Sequence, residues 1–218
     1  MTQIASRSPV LSMDPMLETL LSQHTGSRWG TLSPSLFISL DSGESIHSFM
    51  VRSLIEIVGQ RPKAEYVVSL YFGSVNTWFT IIERTRFDTQ VEEMWTAHSA
   101  ETALLVICMM LITRAPHADL AAGMDDHLYL TAKAAYTLVQ SRVPLSTPLL
   151  QAKLLIALYE YSHALSQQAY VSLGNCAQMS KAFGWYTANY WSHDRQRLLP
   201  AEMKLSSILS WAVVYVDW

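Results

Sequence analysis

Ten consecutive apolar residues, Ala103 to Ile112, constrain this chain more than any other feature. A bilayer crossing needs about 20, so the run is expected to be a helix buried on all sides in a folded core. The stretch from Ile208 to Val216 is too short for a span on the same count. Hydrophobic residues make up 50% of the 218 positions and charged residues 15%, against about 25% charged in an average soluble domain. Such a composition excludes a disordered chain and asks for a large core or an interface. With only eight glycines and eight prolines, turns are few and helices are favoured.

The net charge of -3 excludes a chain-wide electrostatic grip on nucleic acid. Cys108 and Cys176 are the only cysteines, too few for a disulfide framework or a cysteine-based zinc module. Residues Met1 to Val10 carry Arg7, but no long apolar stretch follows. Neither a signal peptide nor a membrane partner is expected.

The pattern along the chain predicts an all-α fold. We expect an irregular bundle of roughly eight to nine helices built from αα-hairpins, over residues 41–218. Residues 1–40 read as an irregular arm with one short helix, N-capped by Asp14 and opened by Pro15. Asp41 and Glu44 resemble a capping box ahead of a helix ended by Gly59 and Pro62. A second helix is expected over 63–79, and Thr85 to Phe87 reads as a link. Polar 88–98 precedes apolar 99–114, and a further helix is expected over about 118–141. Thr147 as N-cap with Pro148 behind it predicts a helix over 149–164. A link at Ser166 and Gln167, a helix to Phe183 with Gly184 as C-cap, and a last helix from Pro200 complete the pattern.

No nucleotide-binding, nucleophile-elbow or zinc-protease string is present. The titratable residues that could converge on one pocket are His98, Glu101, Asp125, Asp126, His127 and His163. Glu93, His98 and Glu101 resemble a metal-ligand grouping, but the order is reversed from the Glu-x-x-His of carboxylate bundles and no second copy exists. A polar helix junction explains them better. His117, Asp119, Asp125, Asp126 and His127 form an acidic, imidazole-bearing patch that fits no ion-binding signature, as a solvated helix surface would. His163, at a helix end, suits a C-terminal cap. The cysteines lie in apolar settings that favour the thiol. No metal and no cofactor are implied. Trp185, Tyr186, Tyr190 and Trp191 form an aromatic cluster suited either to folding back on the core or to a ligand mouth or partner surface.

Several strings resemble one family, the fungal-specific transcription factor domain or middle homology region. Tyr71-Phe72, Trp78-Phe79, Ile81-Ile82 and Phe87 resemble its entry motif. Gln151-Ala152 with Leu154-Leu155 and Leu158-Tyr159-Glu160 resembles its Gln-Ala-Leu-Leu helix. Ala169-Tyr170, Leu173-Gly174, Met179 and Phe183-Gly184-Trp185 resemble the next helix. Pro200, Glu202, Trp211, Tyr215 and Asp217 resemble the one after it. The six-cysteine zinc cluster that reads DNA in that family is absent from this sequence. The resemblance therefore implies a cut-down regulatory domain that is not expected to bind nucleic acid directly. It implies a nuclear, non-catalytic regulator of specialised metabolism; without the resemblance, a cytoplasmic protein would be expected.

Such a domain would present apolar helix faces to a protein partner, a second copy of itself or a small-molecule effector. Tyr71, Trp78, Trp185, Tyr186, Tyr190, Trp191 and Trp211 are the residues expected on that surface. The rival expectation is an enzyme or ligand carrier on the same scaffold. It would use His98, Glu101, Asp125, His127 and His163.

Overall fold

The computed structural model describes residues 44–114 and 127–183. The arm, the Asp41 cap, the patch from His117 to Asp126 and everything beyond Phe183 lie outside the described residues. All regular structure among the described residues is helical. Seven helices of twelve residues or more are present: α1 (Ile46–Ile57), α2 (Arg61–Gly73), α4 (Arg84–Ala97), α5 (Ala100–Thr113), α6 (His127–Arg142), α7 (Thr147–Ser162) and α8 (Ser166–Ala182). A single turn, α3 (Val75–Trp78), follows α2. The expected eight to nine is thus corrected to seven full helices among these residues.

The apolar run is the centre of the bundle. In α5, Leu104, Leu105, Ile107, Met109 and Leu111 are fully buried, and the helix touches α7, α1, α2, α6 and α4. A helix with no polar face needs neighbours on every side, and the bundle supplies them. Its N-terminus is satisfied from three directions. Ser99 accepts the Thr102 N–H at 3.3 Å. His47 Nδ1 on α1 accepts the Ala100 N–H at 3.2 Å. Glu101, in the first turn where the helix dipole favours an anion, accepts a hydrogen bond from the Ser146 hydroxyl. Ser146 also caps α7 by accepting the Leu149 N–H at 3.4 Å.

The caps correct the sequence expectations by a residue or more. Ser45, not Asp41, caps α1, accepting the Ser48 N–H at 3.2 Å, while Glu44 pairs with Arg52 at 2.7 Å. Ser146, not Thr147, caps α7. Thr85 to Phe87 is the first turn of α4 and no link, because Phe87 is buried and anchors the helix against Phe72, ring centroids 5.9 Å apart. The expected helix over 63–79 breaks at Ser74. Gly59 adopts φ +116°, and a Cβ there would lie 2.7 Å from Lys63 Cδ, so the turn from α1 to α2 requires glycine. The link from α7 to α8 is His163–Leu165, not Ser166–Gln167, and Ala164 takes φ 57° to make the turn. These two helices pack as the expected αα-hairpin.

Candidate functional site

The helix heptad places four polar side chains along the α6–α7 contact. Tyr129 and Tyr136 stand seven residues apart on α6, and Lys153 and Glu160 seven apart on α7. Seven residues are close to two helical turns, so each pair shares a face. The carboxylate of Glu160 is 0% exposed. Its Oε1 accepts from the Tyr129 hydroxyl at 2.8 Å and from Lys133 Nζ at 3.0 Å, and Lys133 also donates to the Tyr129 oxygen at 3.0 Å. The other oxygen, Oε2, has no hydrogen-bond partner. Burial works against the Lys133 ammonium, but the hydrogen bonds with Tyr129 and Glu160 outweigh it and its pKa is raised. The phenol of Tyr129 is raised by burial first. Tyr159 stacks on Tyr129 with ring centroids 5.3 Å apart.

At the other end of the contact Lys153 is 7% exposed, with Nζ 4.7 Å from the centroid of the Tyr136 ring. Burial lowers its pKa, as expected for an ammonium removed from water. Tyr136 donates to Met179 Sδ at 3.3 Å. Cys108 from α5 and Cys176 from α8 are fully buried nearby, and burial pushes each thiol up to about 12. The thiol form is unreactive, because the thiolate is the nucleophile. Ellman's reagent at pH 8 is expected to titrate neither cysteine in the folded chain and both in guanidinium; prompt reaction of either native thiol would contradict this packing. The same shifts fix an alkaline trend. A thiol raised when folded keeps its full contribution below the unfolded value of 9.0 and loses it as pH rises toward about 12. Unfolding stability is expected to fall across that window, less steeply in a Cys108→Ala/Cys176→Ala variant.

The sequence-predicted titratable residues stand at separate helix ends. His98 is the C-cap of α4, at φ 53°, and the helix break at Ser99 separates it from Glu101, which serves the α5 N-terminus. The polar helix junction expected for them is what forms. His127 is the first described residue of α6 and is exposed. His163 caps α7: Nδ1 lies 2.9 Å from the Tyr159 carbonyl oxygen and 3.0 Å from Ser162 Oγ, and the ring stacks on Tyr159 at 3.9 Å. Among the described residues, no group of three or more His, Cys, Asp or Glu is placed to hold a metal ion. Asp125 and Asp126 lie outside the described residues.

Of the aromatic surface residues, Trp78 is 68% exposed. Tyr71 is corrected: it is fully buried, edge-on to Phe72 with centroids 5.4 Å apart, and belongs to the core. Trp185, Tyr186, Tyr190, Trp191 and Trp211 lie outside the described residues. An open groove of about 470 Å³ between α2 and α4 is lined by Glu65, Val68, Arg84, Asp88, Val91 and Glu92, among others; none of the predicted site residues that are described lines it. Arg61 bridges Glu65 and Glu92 beside it, 2.6 Å from each.

Sequence reasoning missed Tyr129, Lys133, Tyr136 and Lys153. The available signal was a lysine and a glutamate seven apart inside a helix that is apolar on both sides of them.

The family strings are themselves largely core. Phe72, Ile81, Ile82, Phe87, Leu154 and Leu155 are buried, and Gln151 Nε2 donates to the Ile81 carbonyl at 2.7 Å, tying α7 to the entry motif. Transcription factor BOA15 of Botryotinia fuckeliana (strain B05.10) is 33% identical to this chain over 114 residues. The chain is similar to a transcription factor. The matched stretch is 52% of this chain and 63% of BOA15, so BOA15 is the shorter of the two and this chain spans less than two thirds of its length. No family model matches, the middle homology region included, and no solved structure matches. Among the described residues no helix is long and apolar enough to cross a membrane.

Proposed function

We propose that this chain is a non-catalytic transcriptional regulator of fungal specialised metabolism, acting in the nucleus through protein contacts or a small-molecule effector. In this reading residues 41–218 are the regulatory domain, residues 1–40 an attached arm, and DNA is reached through a partner. The observation that carries it is the 33% identity to a fungal transcription factor over 114 residues. The placement of two histidines supports it: His98 and His163 close helices. The buried Tyr129–Lys133–Glu160 cluster then serves to fix the register of α6 on α7, a use attested for buried polar groups.

Tethering the chain to an unrelated DNA-binding domain upstream of a reporter tests this reading. A reporter change of several-fold, lost when Leu105 is replaced by Asp to break the core, is the expected result. An unchanged reporter together with turnover of a small molecule by the purified chain would replace the regulator with the scaffold enzyme.

A further inference from the structure

The amino end of the central helix is held by a side chain whose grip depends on its charge. Ala100 opens α5, and the first N–H groups of a helix have no carbonyl of their own helix to meet. The Ser99 hydroxyl takes the Thr102 N–H. The Ala100 N–H goes instead to α1, to Nδ1 of His47 at 3.2 Å, a contact across 53 residues of sequence. Ala100 is 0% exposed, so water does not stand ready to replace the ring, and a buried N–H without a partner is costly. The His47 side chain is only half-buried and open to a proton. For the rest, α1 sits on α5 with buried apolar residues, Phe49, Met50, Leu54 and Ile57 among them.

An imidazole nitrogen accepts a hydrogen bond only in the neutral ring; in the cation both nitrogens carry protons and donate. A protonated His47 sets N–H against N–H, at the helix end where the backbone dipoles already place positive charge. We infer that His47 is a proton-sensitive latch between α1 and the central helix, closed by the neutral ring and released when the ring takes up a proton. The elements that meet there bring few other charged or titratable groups. On the α1 side, Glu44 and Arg52 pair with each other, and Glu56 lies roughly two and a half turns along. His98 closes α4, and Glu101 stands in the first turn of α5, its carboxylate taken by the Ser146 hydroxyl. The first turn of α7 holds no acid, and α6, which also touches α1, carries His127, Lys133 and Arg142. Glu101, one residue past the Ala100 amide, attracts an imidazolium and so favours release.

The latch goes beyond the proposed function, and its failure would leave that reading untouched. Amide exchange followed by NMR on the full chain tests it, at about pH 7.5 and about pH 5.5, on either side of the usual imidazole range. Protection of the Ala100 amide, corrected for the intrinsic pH dependence of exchange, is expected to fall at least about threefold at the lower pH relative to Thr102, whose cap is a hydroxyl with no charge to gain. In His47→Gln that pH dependence is expected to disappear, since an amide side chain has one charge state in this range. The chain holds seven histidines, and this variant isolates one of them. Helicity by circular dichroism confirms that the variant is folded; if it is not, the wild-type measurement decides alone. An Ala100 amide as well protected relative to Thr102 at the lower pH as at the higher would overturn the latch. So would the same loss of protection in a folded His47→Gln chain.

Discussion

Lys133→Met is expected to destabilise the chain more than Glu160→Leu does, although the two residues form one ion pair. The asymmetry follows from where each end lies. The ammonium of Lys133 is about a third exposed, and the carboxylate of Glu160 is not exposed at all. When Glu160 is removed, Lys133 turns its head to water along its flexible stem, at a cost of about 1 kcal/mol. When Lys133 is removed, Glu160 is left as a buried carboxylate held only by the Tyr129 hydroxyl, with Oε2 already unpartnered. Breaking a fully buried pair costs about 3–5 kcal/mol; the partial exposure of Lys133 reduces that to about 2–3 kcal/mol. The double variant should fall close to Glu160→Leu alone, since apolar replacement of a buried pair is often neutral. Urea unfolding of the four proteins measures the cycle. Equal losses in the two single variants would show that Glu160 reaches water by a route absent from this structure.

Leu105→Ala carries the other large effect, a loss of about 3–4 kcal/mol. Leu105 is fully buried in a helix that touches five others, so the walls of the resulting cavity belong to helices already fixed by further contacts. Collapse of the site is limited, which places the cost in the upper part of the usual range. Against a total stability of about 5–15 kcal/mol, that loss would be visible as a lower urea midpoint with an unchanged slope. An effect under about 1 kcal/mol would mean that α5 is not the centre of the core.

The central helix was legible because ten apolar residues in a row leave a helix no face for water. The αα-hairpin from Thr147 to Ala182 was legible for a similar reason, as was the role of His163 as a helix cap. Boundaries shifted where two neighbouring residues offer the same chemistry: Ser146 and Thr147 both carry a capping hydroxyl, and the geometry selects Ser146. The start of α4 was hidden because Arg84, Thr85 and Arg86 are polar, and only contact with Phe72 reveals Phe87 as its anchor. The polar cluster was invisible for a different reason. Tyr129 lies 31 residues from Glu160, and only the packing of α6 on α7 joins them. Conversely, His98 and Glu101 are near in sequence, yet a helix break at Ser99 assigns them to different helices. Tyr71 was expected at a surface because aromatic residues serve interfaces well, but the same apolar area serves a core.

Transcript profiling after deletion of the gene, in the organism that encodes it, tests the central claim most directly. A defined set of transcripts is expected to change by several-fold, to be restored by the wild-type chain, and not to be restored by a Leu105→Asp chain. Unchanged transcripts alongside the loss of a single chemical conversion would contradict it.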